Sequence, residues 1–215
     1  CIPAWAKQSE RCWTLWNMQI LHRRAELNKA LESPRRKGKS IGFVPTMGYL
    51  HEVHLSLVRH AKKENDLVVA SIFVNPLQFG PKEDFKRYPR DLARDKRLLI
   101  SAGTDALFLP DTKEFYPADF QTTVSLSHLS RPLCCKSRPG HFAGVATVVL
   151  KLLNLTEPDR LYLGQKDYQQ CRVIEQLIDD MGLSVSVRRV PIAREKDGLA
   201  MSSRNVYLSA VERAE

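Results

Sequence analysis

Two histidines three residues apart, His51 and His54, stand at the start of a helical pattern in the segment Pro45-Thr-Met-Gly-Tyr-Leu-His-Glu-Val-His54. Residues at that spacing share a helix face. A helix N-terminus offers unpaired N–H groups and a positive dipole end, which suit phosphate. Each imidazole can donate a hydrogen bond to a phosphate oxygen, and histidine titrates near enough to neutrality to move a proton. A metal pair needs a third ligand, which no neighbouring Cys/His group supplies, and a solvated pair needs no ligand at all. The residues alone leave all three readings open.

Three further segments carry side chains of the same chemical character. In Phe73-Val-Asn-Pro-Leu-Gln78, a strand running into Asn-Pro must stop, since proline cannot donate to a ladder. Gln78 then offers an amide that both donates and accepts, which suits a hydroxy acid or an amino acid; a plain loop glutamine is the alternative. In Gly164-Gln165-Lys166-Asp167-Tyr-Gln-Gln170, glycine permits close backbone approach and Lys166 brings a mobile cation to a strand-to-helix junction. A lysine there opposes the helix dipole, which favours a ligand role over a surface one. In Met201-Ser202-Ser203-Arg204, two hydroxyls beside a guanidinium make a phosphate clamp, or else a flexible polar linker. Arg138-Pro-Gly-His141 is a weaker candidate, in which His141 packs or caps a helix start.

The elements that must position these residues alternate. Apolar, β-branched runs at 41–44, 67–75, 105–109, 160–163 and 183–190 read as strands, with a small one at 122–126. Amphipathic runs at 18–31, 52–64, 90–102, 141–154 and 167–181 read as helices, the last ended by Gly182, and Ser209 opens another. Pro34 to Lys39 reads as a basic turn. Strand–helix alternation of this kind predicts an α/β fold, a Rossmann-like doubly wound parallel sheet with helices on both faces. Ligands bind such sheets at the carboxyl ends of the strands, and the four segments fall there.

The chain has 215 residues and a formal charge of +9, which first suggests a polyanionic partner such as nucleic acid. Residues 1–40 hold nine basic and three acidic side chains, so the excess concentrates in a Trp-rich leader; 41–215 are expected to form the nucleotide-binding catalytic domain. The cations near the motifs, Lys166 and Arg204 above all, point to a nucleotide rather than nucleic acid. No apolar stretch is long enough to span a bilayer, and no ordered secretory signal occurs. Five cysteines without a CxxC pair argue against a disulfide scaffold and for a reducing, cytoplasmic setting.

Five segments in order, PTMGYLHEVH, SIFVNPLQFGPKEDFKRYPRDL, KSRPGHFAGVATVVLKLLNL, GQKDYQQ and REKDGLAMSSRN, resemble the pantoate–β-alanine ligase family of the HIGH-motif nucleotidyltransferases, from about Gly38 to Glu215. The resemblance implies ATP-dependent condensation of pantoate with β-alanine through a pantoyl adenylate, releasing pyrophosphate and AMP, with Mg2+ accompanying ATP. It implies that Met47, Gly48, Tyr49, Leu50, His51, Glu52, Val53 and His54 line the ATP site, with His54 in the place of a proton donor. Gly164, Gln165, Lys166 and Asp167 would bind ribose and phosphates, the backbone of Ala193 would face adenine, and Met201, Ser202, Ser203 and Arg204 would form the clamp. Gln78 and Gln170 would hold pantoate, and Gln78 later β-alanine. His51, His54, Lys166 and Arg204 would carry catalysis. The metal ligands are not identified. A homodimer is expected of the family's full-length form, and no nucleic-acid or membrane partner.

The chain departs from the family pattern in places. Val53 stands where the family has glycine in HxGH, and a β-branched side chain there would crowd a phosphate. Gln165 replaces a common acid, and Cys135 a usual glycine. The family's smaller C-terminal domain, a lid over the site, is expected to lie outside this chain. With Val53, that supports an alternative: a nucleotide-binding domain of low turnover.

Overall fold

The computed structural model describes residues 18–81, 83–129 and 138–214. The three tryptophans and Cys1, Cys12, Cys134 and Cys135 lie outside the described residues. Six strands form one all-parallel sheet: β1 (Gln19–Leu21), β2 (Ile41–Thr46), β3 (Leu67–Ile72), β4 (Ala106–Phe108), β5 (Arg160–Gly164) and β6 (Ser186–Val190). Their spatial order is β1-β4-β3-β2-β5-β6. The helices are α1 (Arg24–Arg36), α2 (Glu52–Glu64), α3 (Leu92–Ala102), α4 (Thr112–Phe115), α5 (His141–Thr156), α6 (Tyr168–Asp180) and α7 (Ala210–Ala214).

Successive strand residues face opposite sides, and both sides are apolar. Ile41, Phe43, Leu67 and Val69 pack beneath α1, α5 and α6. Val44, Val68, Ala70 and Leu107 pack beneath α2 and α3. The doubly wound α/β sheet expected from the sequence is therefore present. Among the described residues, no helix is long and apolar enough to cross a membrane.

Three local expectations fail. Residues 19–36, placed in the leader and read partly as a helix from 18, instead supply an edge strand and α1. β1 pairs with β4, Gln19 against Ala106, and α1 buries Leu27 and Leu31 in the core. The turn expected at Pro34 is the last turn of α1, with Pro34 buried inside the helix, where the proline removes one i→i−4 bond of that turn. Residues 122–126 form no strand. They are held instead by the Val124 N–H, which donates to Thr147 Oγ1 on α5 at 2.9 Å.

The register bears directly on the site. β2 pairs with β3 along all six residues, Ile41↔Leu67 to Thr46↔Ile72. Against β5 it pairs only at Gly42↔Arg160 and Phe43↔Leu161. Above those pairs β2 and β5 part, at the position where the strand order reverses. That is where doubly wound sheets take ligands.

Candidate active site

The opening between β2 and β5 leads into a cleft of about 230 Å³, walled by Met47, His51, Val53 and His54 on one side and Gly164, Lys166, Asp167 and Gln170 on the other. Gln78 lies toward its floor, and Met201, Ser202, Ser203 and Arg204 close a third side. Four sequence-distant segments thus meet around one space. Gly48, Tyr49, Leu50, Glu52, Gln165 and Ala193 do not line it. Leu50 is buried behind the wall, and Glu52 points outward, paired with Arg59. The carbonyl of Ala193 accepts the N–H of Met201 at 3.1 Å, which anchors the clamp segment.

The loop from β2 to α2 turns through Gly48 (φ 85°) and Tyr49 (φ 49°). A left-handed non-glycine residue needs support. It comes from α3: Asp95, 1 % exposed, accepts the N–H of Tyr49 and of Leu50, each at 2.7 Å. Arg94 donates to the carbonyl of Leu50 at 2.9 Å. Burial raises the Asp95 pKa, and its bonds to the Leu50 and Tyr49 amides oppose that rise.

The two histidines lie ring to ring, centroids 4.1 Å apart. The His51 N–H donates to His54 Nδ1 at 3.3 Å, so the neutral His54 carries its proton on Nε2. Although part of its surface is open, burial pushes the His54 pKa down to about 3, helped by the nearby charges of His51 and Lys166. Burial, then Lys166 and Arg94, lowers that of His51 as well. The buried Nδ1 of His51 has no hydrogen-bond partner among the described residues, and a buried polar atom without one is costly. The lowered pKa values favour the neutral form of both rings, and a neutral imidazole keeps one N–H donor. Their chemistry fits phosphate oxygens. Among the described residues no group of three His, Cys, Asp or Glu side chains gathers to hold a metal.

The floor contains residues that sequence reading passed over. Asn75, 1 % exposed, donates from Nδ2 to the carbonyl of Gly144 at 3.0 Å and to Gln78 Oε1 at 3.1 Å. Its Oδ1 accepts from the Tyr116 hydroxyl at 3.0 Å and the Leu77 N–H at 3.3 Å. The Gln78 oxygen being taken, its Nε2 turns to Met47 Sδ at 3.0 Å and to the cleft. His141 Nδ1 meets the carbonyl of Gln78 at 2.8 Å, and its Nε2 meets Arg138 Nη1 at 3.2 Å. A carbonyl on one side and a guanidinium on the other require the neutral Nδ1–H tautomer, and burial lowers its pKa. The weak Arg138–His141 motif is therefore part of the wall. Asn-Pro in the sequence was the one signal for Asn75.

Three histidines with lowered pKa values set a pH dependence. Below the unfolded value near 6.5 the unfolded chain binds more protons, so stability rises with pH there. Melting temperatures without nucleotide should fall steadily from pH 6.5 to pH 5. A His54→Gln variant should show a shallower fall, and a flat wild-type profile would contradict the assignment.

The model of the family described as pantoate-beta-alanine ligase matches residues 19–215. The pantothenate synthetase of Caldicellulosiruptor bescii is 57% identical over 196 residues, covering 91% of this chain and 70% of that protein. That of Thermotoga neapolitana is 58% identical with the same coverage. Among solved structures, pantothenate synthetase from Thermus thermophilus superposes with a TM-score of 0.88 at 54% identity, covering 92% of this chain and 70% of that one. Pantoate-beta-alanine ligase from Francisella tularensis, complexed with beta-gamma ATP and beta-alanine, gives 0.87 at 44% identity, covering 90% and 74%.

Proposed function

The chain belongs to the pantoate-beta-alanine ligase family, and from that premise we propose that it joins pantoate to β-alanine in two steps at the cleft between β2 and β5. In the first, a carboxylate oxygen of pantoate attacks the α-phosphorus of ATP, and the bond to the β-phosphate oxygen breaks, releasing pyrophosphate. In the second, the amine of β-alanine attacks the acyl carbon, AMP leaves with the bonding pair, and the amine loses a proton.

The observation that carries this reading is the meeting of two chemically different sets around one cavity. His51, His54, Lys166, Ser202, Ser203 and Arg204 supply donors and positive charge for a polyphosphate. Gln78 and Gln170 supply amides for a small hydroxy acid. The N-terminus of the 13-residue α2 adds its dipole at the same place. The protein forms no covalent bond in this scheme. Its contributions are alignment of carboxylate and phosphorus, and stabilisation of charge on the transferred group by Lys166 and Arg204. His54 Nε2–H donates to a phosphate oxygen as a neutral group. Mg2+ bound to ATP would supply charge neutralisation at the phosphates, and the Asp167 carboxylate on the cleft wall, which pairs with Lys166 Nζ at 3.1 Å, would be the residue placed to hold it. Pantothenate formation by the purified chain with MgATP, and its absence when β-alanine is omitted, tests the reading. No pantothenate and no pyrophosphate would end it.

A second reading, nucleotide binding with low turnover, draws on Val53. Its side chain is 6 % exposed and its Cγ1 lies 3.7 Å from where a Cβ of residue 164 would stand. It fills the wall where two backbones would otherwise approach a phosphate. Val53→Gly should tighten ATP binding about tenfold, while the emptied wall and the helical glycine cost about 2–4 kcal/mol of stability. Calorimetric titration giving an unchanged affinity would remove the crowding argument.

A further inference from the structure

Two of the clamp residues, Ser203 and Arg204, rest on the segment 83–88, a turn between Gln78 and α3. Both carboxylate oxygens of Asp84 accept from Arg204, from Nε at 3.0 Å and from Nη2 at 2.9 Å, across 120 positions of sequence. The next contact is between Ser203 Oγ and the Tyr88 hydroxyl, 3.0 Å apart. Tyr207 donates from its hydroxyl to the carbonyl of Arg87 at 3.0 Å, and the Arg204 guanidinium also lies 5.8 Å from the Tyr88 ring centroid. The neighbouring acid, Glu83, takes the other cleft arginine, Arg138, through Nε at 2.8 Å and Nη2. Two consecutive carboxylates thus each hold one of two arginines that border the cleft.

Resting on the reading above, we infer that Asp84 is a positioning residue for nucleotide binding, which acts by fixing the plane and direction of the Arg204 guanidinium. A guanidinium gripped on its Nε and Nη2 edge leaves Nη1 and the far proton of Nη2 as the free donors. A bidentate grip also removes most of the rotamer freedom of a long side chain before the ligand arrives. Single ion pairs at partly exposed positions contribute little to stability; this one gains from its fork geometry and from the Tyr88 ring stacked beside it. Arg204 faces the Asp84 carboxylate, beside the hydroxyl-bearing rings of Tyr88 and Tyr207. Asp84 leads the causes raising the Arg204 pKa, and Arg204 leads those lowering that of Asp84. Asp84 does not line the cleft, so its effect passes through Arg204.

A double-mutant cycle tests this. The probe is a non-hydrolysable ATP analogue with Mg2+, titrated by calorimetry into the wild type, Asp84→Asn, Arg204→Lys and the double variant. Asp84→Asn should weaken binding about fivefold or more and raise KM for ATP in the same proportion, with KM for pantoate unchanged. In the Arg204→Lys background, which has no fork to align, the same substitution should have almost no further effect. Equal losses in both backgrounds, no loss at all, or tighter binding in Asp84→Asn would each overturn the inference. A wild type that binds the analogue but forms no pantothenate would sink the proposed reaction and leave this coupling standing. A wild type that does not bind it would overturn both.

Discussion

Alanine at position 144 is expected to lower kcat/KM for pantoate by about a hundredfold or more. Gly144 sits in the first turns of α5, where the helix runs against the turn that carries Gln78. A Cβ there would lie 2.3 Å from the carbonyl oxygen of Leu77, 2.4 Å from its carbon and 2.6 Å from the nitrogen of Gln78. All three are backbone atoms, so no side chain can swing away. The same turn of helix accepts the Asn75 amide on the Gly144 carbonyl, which sets the direction of the Gln78 amide. One methyl group would therefore separate α5 from the turn and misplace Gln78 and Asn75 together. Overpacking a dense core costs roughly 1–3 kcal/mol, and more where backbone must move. If that strain falls on the site, about 3 kcal/mol corresponds to a factor of about a hundred in rate. A folded Gly144→Ala variant within threefold of wild-type kcat/KM would show that the contact is not transmitted to the substrate. Circular dichroism separates that outcome from a failure to fold.

Asp95→Asn is expected to raise KM for ATP about tenfold and to lower the melting temperature by roughly 6 to 10 °C. The carboxylate accepts two charge-assisted bonds from consecutive backbone amides. An asparagine keeps one acceptor and turns an N–H toward the other donor. Losing such a bond at a buried site and opposing two donors costs about 3 kcal/mol. The cost falls on the loop that places His51 and Met47, so nucleotide binding should suffer more than pantoate binding. Equal changes in the two KM values, or no change in melting temperature, would show that the loop holds its left-handed turn without Asp95.

The architecture was legible because both faces of the sheet are buried. Runs such as Leu67–Ile72 carry no polar alternation, and the helices between them carry one apolar stripe. The β1 strand escaped notice because three residues, Gln19, Ile20 and Leu21, hold no periodicity, and they pair with β4 far along the chain. The His51, Gln78, Lys166 and Arg204 segments were legible because each follows a strand, and strand ends in a parallel sheet share one edge. Their supports were not. Asp95 reads as one more acid on an amphipathic helix, Asp84 as a charge in a polar turn, and Gly144 as a flaw in a helix. Each takes its meaning from a partner brought in by tertiary packing, at 46, 120 and 69 positions' distance respectively.

The short pairing of β2 with β5 bears on how the protein is assembled. β2 can zip to β3 early, since only α2 intervenes. It meets β5 only after most of the chain has been gathered, as the Ile41 N–H donating to Asp159 at 2.6 Å across 118 positions makes plain. Closing so long a loop is slow, and two residue pairs reward it little at first. The nucleotide's walls therefore come from the two halves of the chain that meet last. A molecule that has built β2, β3 and their helices has half a phosphate site and no second wall. On the proposed reading, a bound nucleotide would select only for the finished topology, and its binding free energy would add to this short seam of the sheet.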